Sequence, residues 1–316
     1  MPKAGSRTKR SRSTAKPSEQ HAADSATPSG QSAGPAITGA AIASAPITSA
    51  PITGAPITGG AQPGVVDHSG PNLRTLSFDI GGTGLKASVL ASHGELLHEP
   101  VRVPTPYPLH PDQLVDALAQ LTEGLPEFQR ISAGFPGMVR TGRIISAPHF
   151  VSPDGPGGKP TAELEKAWDH FDLQGALAGK LGRPCRVAND ADVQGSALVT
   201  GKGLELVVTL GTGVGTALFW HGKLAPHLEL AHHPLWKDGS SYNEVLGDEA
   251  RRRVGHKKWN SRVARTIDVL RNLMFFDHCY IGGGNSRHVT FDLPPDVSLA
   301  DNTAGILGGI RLWQRT

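Results

Sequence analysis

Apolar and polar residues alternate in short runs along most of the chain, and glycine, proline or asparagine bounds each run. A period of two residues predicts β-strands in LRTLSFDI, KASVL, ELLHEPVRV, ISAGFPG, RPCRVAND, LELVVTL, VGTALFWHGKL and DHCYIGGG. Helical spacing predicts helices in HPDQLVDALAQLTEGL, LQGALAGKLG, DADVQGSALVTG, 242–254, 257–274 and AGILGGIRLW. Strands that alternate with helices are typical of an α/β fold. The opening strand–turn–strand pattern returns in the second half, which indicates two related lobes.

Residues 1–71 lack these patterns. The segment begins with basic and hydroxyl residues and continues as GPAITGAAIASAPITSAPITGAPITGG, a repeat of small residues, proline, isoleucine and threonine. Dense proline prevents a helix, and the repeat has no bulky side chains to bury. We therefore expect a disordered tail before the folded region.

Composition limits the compartments and partners that are expected for the folded part. The 316-residue chain has a net charge of +3 and only two cysteines, Cys185 and Cys279, which share no metal-ligand spacing. Two isolated cysteines favour a reducing compartment and a cytoplasmic protein. No apolar run approaches the length of a membrane helix. Aromatic residues make up 5% of the chain, so base stacking on a nucleic acid is not expected.

Three glycine turns follow three of the predicted strands: Asp79–Gly84, Leu210–Gly215 and Ile281–Gly284. Glycine allows close approach of the backbone to a phosphate, and successive amide groups then form an anion-binding nest. A plain hairpin explains each turn taken alone. The repetition of the turn at three strand ends favours a phosphate site.

Charged residues accompany the first turn. Asp79 ends the strand before the turn, where a carboxylate can hold Mg²⁺ directly or through water, although a turn-capping role is an alternative. Lys86 follows the turn and faces either the phosphate or solvent.

A second polar group, Asn189-Asp190, stands where a strand meets a helix. One of the two residues can cap the helix, and the other can face a cleft. A carboxylate in that place can take a proton from an attacking hydroxyl group, and the helix dipole favours its ionised form. The loop around Pro136 and Gly137 and the segment Glu229–His233 supply further candidates for a substrate pocket.

The ordered motifs DIGGTGLKASVL, GFPGMV, ANDADVQG, TLGTGVGTALF, ELAHH, IGGGN and NTAGILGG resemble the ROK (repressor/ORF/kinase) family of sugar kinases. Within that family the resemblance is greatest to polyphosphate glucokinases, and it spans about residues 73–313. The resemblance implies a two-lobed actin-like ATPase fold of the ribonuclease H-like kind. It also implies a small lobe over 72–187, a large lobe over 188–302, and a final helix over 303–316 that packs back on the small lobe.

The resemblance also implies roles for individual residues. Asp190 matches the catalytic base, and the sugar-binding residues would be Asn189, Glu229, His232, Pro136 and Gly137. Mg²⁺ would bridge the phosphates near Asp79. The phosphate-binding residues would be Gly81, Gly82, Thr83, Gly84, Lys86, Gly211, Thr212, Gly213, Gly283 and Gly284. The cysteine cluster that holds a structural zinc ion in many family members is missing, so no zinc is expected.

A basic stretch is the clue to the phosphoryl donor. A polyphosphate chain needs a row of cations rather than a purine pocket, and the candidates are Arg251, Lys257, Lys258 and Arg262. A solvated basic helix face is the alternative.

The prediction for function is a phosphotransferase that moves a phosphoryl group from polyphosphate, with ATP as a further donor, to the 6-hydroxyl of glucose. One alternative is an ATP-dependent ROK hexose kinase with another sugar, and a second is a non-catalytic sugar sensor. The sensor reading would be supported by a DNA-binding helix-turn-helix, and the N-terminal segment has no apolar helical periodicity for one. Dimers are usual for this family, so a homodimer is expected.

Overall fold

The computed structural model describes residues 73–300 and 304–315. The tail predicted over residues 1–71 lies outside the described residues, as do the first positions of the predicted closing segment. Each described lobe contains one five-stranded sheet.

The first sheet has the order β3-β2-β1-β4-β7. β1 pairs antiparallel with β2, β2 pairs antiparallel with β3, and β4 and β7 continue the sheet in parallel. Side chains of the sheet, among them Phe78 and Phe135, form a continuous apolar core together with Trp168 of a covering helix. The strands are β1 (Thr75–Ile80), β2 (Gly84–Leu90), β3 (Val101–Pro104), β4 (Arg130–Phe135) and β7 (Cys185–Asn189), and a small hairpin is formed by β5 (Val139–Arg140) and β6 (Arg143–Ile144).

The second sheet has the order β10-β9-β8-β11-β12 and repeats the first sheet in pairing direction. Two antiparallel pairs are followed by two parallel pairs in both sheets. The predicted duplication of the opening pattern is therefore confirmed at the level of topology. The strands are β8 (Leu204–Leu210), β9 (Val214–Trp220), β10 (Lys223–Leu224), β11 (His278–Gly282) and β12 (Val297–Leu299).

Eight α-helices cover the sheets in the described part of the chain, with one further 3₁₀ turn at Ser286–His288. They are α1 (Pro111–Gln120), α2 (Ala162–Trp168), α3 (Leu173–Leu181), α4 (Asp190–Leu198), α5 (Tyr242–Leu246), α6 (Asp248–Val254), α7 (His256–Met274) and α8 (Ala304–Arg315). Measured over 73–300 and 304–315, no helix is both long and apolar enough to span a membrane.

Three elements differ from the sequence prediction. The helix expected over 242–254 is two helices, α5 and α6, because the chain turns at Gly247. The third strand begins at Val101 rather than near Glu95. The short helix α2 was not predicted, although Thr161 caps its start by accepting a hydrogen bond from the Leu164 amide.

The last helix packs across the middle of the fold, against α4, β1 and β4. Trp313 donates its indole N–H to Ser132 Oγ at 2.9 Å, and Ser132 in turn donates to the Gly309 carbonyl. Gly308 is buried where α8 crosses α4, and a Cβ atom there would overlap the Val193 carbonyl oxygen. α8 therefore contacts both the first sheet and α4. Its assignment to the small lobe and the division of the lobes near residue 187 stay proposals.

Candidate active site

A cleft of about 1010 Å³ opens where the two sheets end. Its walls come from the carboxyl ends of β1, β8 and β11, which carry the three glycine loops, and from the start of α4. In an α/β protein the loops beyond the carboxyl ends of strands form the usual ligand crevice. The cleft is thus built at the position that the sequence pattern predicted for a phosphate site.

The first glycine loop is held from behind by two side chains. Thr105 donates its hydroxyl to the Gly81 carbonyl at 2.6 Å, and Tyr107 donates its hydroxyl to the Gly82 carbonyl at 2.8 Å. A Cβ atom on Gly82 would approach the Pro156 ring to 2.6 Å, so only glycine fits there. These contacts hold both carbonyl groups on the outer side of the loop.

The second glycine loop is held by the helices that follow it. The Asp248 amide at the start of α6 donates to the carbonyls of Gly211 and Thr212, at 3.0 and 3.3 Å. Asn243 accepts from the Val214 amide at 2.7 Å. Asn285, just after the third glycine loop, donates to the Gly211 carbonyl at 3.0 Å, which ties the second and third loops together.

Asp79 lies at the mouth of the first loop, in direct register with Lys86 across the β1–β2 pair. Its carboxylate accepts from the Lys86 ammonium at 2.9 Å, and both side chains are largely exposed, so this ion pair adds little stability. Asp79 lines the cleft, and Lys86 does not. Because Mg²⁺ is usually held by one or two carboxylates together with substrate phosphates, Asp79 fits the role of a magnesium ligand.

Asp190 and Asn189 share the start of α4 but have different surroundings. The Asn189 side chain is buried, accepts from the Ala191 amide at 2.8 Å, and donates to the Gly137 carbonyl at 2.9 Å. It therefore caps the helix and fixes the Pro136–Gly137 loop against it. Asp190 is the first residue of the helix, and its side chain faces the cleft.

The electrostatic surroundings of Asp190 suit a proton acceptor. Burial raises the pKa of its carboxyl to about 6, with smaller contributions in the same direction from Asp79 and Asp192. The Ala191 amide and His227 oppose this rise without reversing it. A base with a pKa just below neutral pH is ionised at working pH and still accepts a proton readily.

An irregular segment after β10 brings a second carboxylate to the cleft. Arg140 donates to the His227 carbonyl at 3.1 Å, and Thr216 donates to the Leu228 carbonyl at 2.8 Å. The Glu229 carboxylate accepts from the Ala231 amide at 3.2 Å. Contacts with charged neighbours outweigh burial and lower the pKa of Glu229, so it is an anion at the cleft wall.

Most of the residues predicted for the site meet at this one cleft. Its lining includes the following predicted residues: Asp79, Gly81, Gly82, Thr83, Pro136, Gly137, Asn189, Asp190, Gly211, Thr212, Gly213, Glu229, His232, Arg262, Gly283 and Gly284. Five other predicted residues do not line it: Gly84, Lys86, Arg251, Lys257 and Lys258. Among the basic candidates the cleft therefore contains Arg262, and it also contains Arg253.

Sequence reasoning missed two histidines of the cleft. His149 lies beside Gly82, and burial together with the nearby His232 lowers its pKa. His227 is buried and contacts Asp192. Their sequence surroundings, APHF and PHLE, contain no motif that would have identified them. No group of three or more potential ligand side chains in the described ranges is arranged to hold a metal ion.

Comparison with known proteins gives a consistent result. The sequence model of the ROK family matches residues 75–226. The chain is 28% identical to the polyphosphate glucokinase of Mycobacterium tuberculosis H37Rv over 256 residues, which cover 73% of this chain and 88% of the relative. It is also 31% identical to an N-acetylmannosamine kinase of Escherichia coli, over 48% of this chain and 49% of that protein.

Among solved structures, the inorganic polyphosphate/ATP-glucomannokinase of Arthrobacter sp. strain KM superposes with a TM-score of 0.62. The identity is 30%, and the match covers 77% of this chain and 99% of that one. The expected two-lobed actin-like ATPase fold is thereby confirmed for the described region. Fold, cleft and relatives define the class of protein as a kinase, a phosphotransferase that acts on a sugar. The chain belongs to the ROK family.

Proposed function

We propose that this kinase transfers the terminal phosphoryl group of polyphosphate, with ATP as a second donor, to the 6-hydroxyl of glucose. The observation that carries the proposal is the position of Asp190, a buried carboxyl between the glycine loops and the Glu229 segment. The donor would lie on the loops and the sugar against Asp190, Glu229 and His232. The 28–30% identity to polyphosphate-using relatives supports the choice of donor and of sugar.

In the proposed reaction, the sugar oxygen attacks the terminal phosphorus in line with the leaving bridging oxygen. A phosphorus–oxygen bond forms to the sugar, the bond to the shortened donor breaks, and the hydroxyl proton moves to Asp190. Amides of the glycine loops would stabilise the charge on the transferring group, and Mg²⁺ held near Asp79 would neutralise charge on the donor phosphates. Positioning and electrostatic stabilisation provide most of the acceleration in phosphoryl transfer.

The contacts of Asn189 refine its proposed role. Its side-chain nitrogen donates a hydrogen bond to the Gly137 carbonyl, and its side-chain oxygen accepts one from the Ala191 amide. We propose that it acts on the sugar mainly by fixing the Pro136–Gly137 loop, with one remaining oxygen lone pair available for a hydroxyl group.

A group of basic side chains beside the donor loops supports polyphosphate. This donor-side cluster consists of Arg251, Arg252, His256, Arg287 and His288. The rings of His256 and His288 lie 5.1 Å apart, and Arg287 Nε lies 3.3 Å from His288 Nε2. Desolvation and the neighbouring basic side chains, Arg251 and Arg287 among them, lower the pKa of His288, so near pH 7 the arginines carry the positive charge.

The cluster is fixed next to the second and third glycine loops. Asn260 of α7 donates to the carbonyls of His256 and His288, and its own oxygen accepts from the Thr290 amide. Asp248, which caps the second loop, pairs with Arg251 at 2.7 Å. A polyphosphate chain that is longer than the triphosphate of ATP would continue from the loops across these basic side chains. Lys257 and Lys258 stay proposals for contacts further along, and Arg262 stays a proposal for a contact within the cleft that it lines.

Replacing Arg287 with alanine should separate the two donors. We expect KM for long-chain polyphosphate to rise about 3- to 10-fold, because one exposed cation contributes roughly 1 kcal/mol to a phosphate contact. KM for ATP should change less than about twofold. Arg311→Ala, which removes an exposed arginine of α8 outside the cleft, is the control. An equal effect of Arg287→Ala on both donors would contradict a polyphosphate path over the cluster.

The acid limb of the pH profile should report on Asp190. Its carboxyl must be ionised to accept a proton, so kcat/KM should fall as pH drops through about 6. A plateau that continues below pH 5 would exclude Asp190 as the base. With saturating donor and limiting glucose, the profile reports on the enzyme–donor complex.

The decisive test of the proposed function is glucose phosphorylation by the purified protein with Mg²⁺, with long-chain polyphosphate or ATP as donor. Coupled oxidation of the product reports glucose 6-phosphate directly. Transfer from ATP alone would favour an ATP-dependent ROK kinase, and a panel of hexoses and N-acetylated hexosamines would then identify the acceptor. Gel filtration in the same buffer tests the proposed homodimer.

A further inference from the structure

A buried ion bridge that the proposed mechanism does not use lies at the wall of the cleft. His227 places Nδ1 3.0 Å from Asp192 Oδ1 and Nε2 3.8 Å from Glu229 Oε2. The side chains of His227 and Asp192 are only 3% and 4% exposed, whereas that of Glu229 is 28% exposed and opens into the cleft. One imidazole thus connects a carboxylate in the interior with a carboxylate on the wall of the acceptor pocket.

We propose that His227 is a positioning residue for the acceptor site and that, as an imidazolium, it holds the Glu229 carboxylate in place for the sugar while Asp192 anchors it from behind. This inference rests on the proposed function, because it assigns Glu229 to the sugar. It concerns a residue that no motif in the chain identifies.

The chemistry of the imidazole ring explains why a charged form is needed. A neutral ring has one N–H group and one lone pair, so one of the two carboxylates would face a lone pair. Only the imidazolium directs an N–H group toward both Asp192 and Glu229. Burial alone would lower the pKa of His227, but its contacts with the two carboxylates prevail and raise it to about 9.

The groups around His227 are consistent with this reading. Arg140, on the small β5–β6 hairpin, binds the His227 carbonyl rather than its ring. The positive charge of His227 opposes the rise in the pKa of Asp190, which lies at the start of α4. The charge of His227 therefore acts on the base at a distance as well as on the sugar-facing carboxylate that it pairs with.

Geometry distinguishes this bridge from an ordinary buried histidine. A buried neutral histidine needs an acceptor for its N–H group and a donor for its lone pair, and Asp192 supplies only the acceptor. The second ring nitrogen faces Glu229 at ion-pair distance, slightly longer than a hydrogen bond. Glu229 itself stands in an irregular segment, where no helix or strand sets the direction of its side chain.

Kinetics of His227→Asn and His227→Gln with glucose and polyphosphate test the proposal. We expect KM for glucose to rise about 10-fold or more in His227→Asn, with a kcat loss of less than about fivefold and an unchanged KM for polyphosphate. Gln is longer and carries an N–H group, so His227→Gln should recover part of the loss. The control is His278→Asn, which removes a partly buried histidine that hydrogen-bonds Ser298 outside the cleft.

The protonation state gives a second, activity-independent readout. In ¹⁵N-labelled protein at pH 7.5, the ring of His227, assigned by comparison with His227→Asn, should carry protons on both nitrogens. Its titration should be centred near pH 9, and KM for glucose should rise over the same range, since glucose itself does not ionise there. Stability of both variants is checked by thermal melting, so that unfolding is not mistaken for weak binding.

Each contrary outcome has a distinct meaning. An unchanged KM for glucose in folded His227→Asn, or a neutral ring at pH 7.5, would overturn the positioning role and leave the proposed function intact. Failure of the wild-type protein to phosphorylate glucose would instead overturn the proposed function. In that case the ring measurement alone still decides whether the charged bridge exists.

Discussion

Asp190→Asn should lower kcat by about 100-fold or more while KM for glucose changes less than about threefold. General-base catalysis usually contributes a factor of 10² to 10⁴, and the asparagine keeps the size of the side chain and a hydrogen-bonding oxygen. Steady-state kinetics with saturating polyphosphate, together with calorimetric titration of glucose, would measure both parts. Asp112→Asn is the matched control, since Asp112 also occupies the first turn of a helix but is exposed and outside the cleft.

The same variant should be at least as stable as the wild type above pH 6. Folding raises the pKa of Asp190 above its value in the unfolded chain. Once the pH exceeds the unfolded pKa, ionisation of the carboxyl therefore lowers the free energy of unfolding. This cost grows as pH rises toward about 6 and is then constant. At about 1.4 kcal/mol for each pKa unit, it reaches at most about 3 kcal/mol.

A thermal melt of both proteins between pH 4 and 8 checks this expectation. The melting temperature of Asp190→Asn relative to the wild type should increase with pH up to about 6 and then stay constant. Near-normal turnover in a well-folded Asp190→Asn protein would remove Asp190 from the mechanism. A fall in stability that is independent of pH would show that Asp190 has a structural role instead.

The second large effect is expected at the crossing of α4 and α8. Gly308→Ala places a methyl group against the Val193 carbonyl, and neither backbone can move without disturbing the helix that begins at Asp190. Overpacking of this kind costs about 1–3 kcal/mol. We therefore expect the melting temperature to fall by roughly 5–10 °C.

Gly179 in α3 provides the matched substitution. A Cβ atom there meets nothing within 4 Å, and glycine inside a helix is about 0.5–1 kcal/mol less favourable than alanine. Gly179→Ala should therefore raise the melting temperature slightly. If Gly308→Ala also raised it, the close crossing of the two helices would be refuted.

The sequence was informative wherever structure depends on near neighbours. Strand alternation and the glycine turns located β1, β4, β8 and β11, because a period-two pattern and a loop that needs glycine are both local properties. The helix cap at Asn189 could also be predicted, since Asn before a helical pattern is a common start signal. These strands carry the glycine loops at the carboxyl ends of β1, β8 and β11.

The features that sequence reasoning missed depend on contacts between distant residues. His227 and Asp192 meet across 35 positions, so spacing could not connect them. The break between α5 and α6 is set by packing, because a Cβ atom on Gly247 would lie 2.7 Å from the Thr212 carbonyl oxygen. The direction of the basic helices depends on Gly255, whose φ of +78° fixes the bend between α6 and α7.

The repeated sheets have a consequence for how such a kinase can change its substrate. The first two glycine loops occupy equivalent strand connections, β1–β2 and β8–β9, in the two halves of the repeat. Asp190, His227 and Glu229 lie instead at one helix start and in one irregular segment. In the proposed function, phosphate binding would therefore use a loop that occurs in both halves, whereas the sugar would contact segments of different kinds. A related kinase could change its sugar specificity through substitutions around residues 227–232, while both glycine loops stay unchanged.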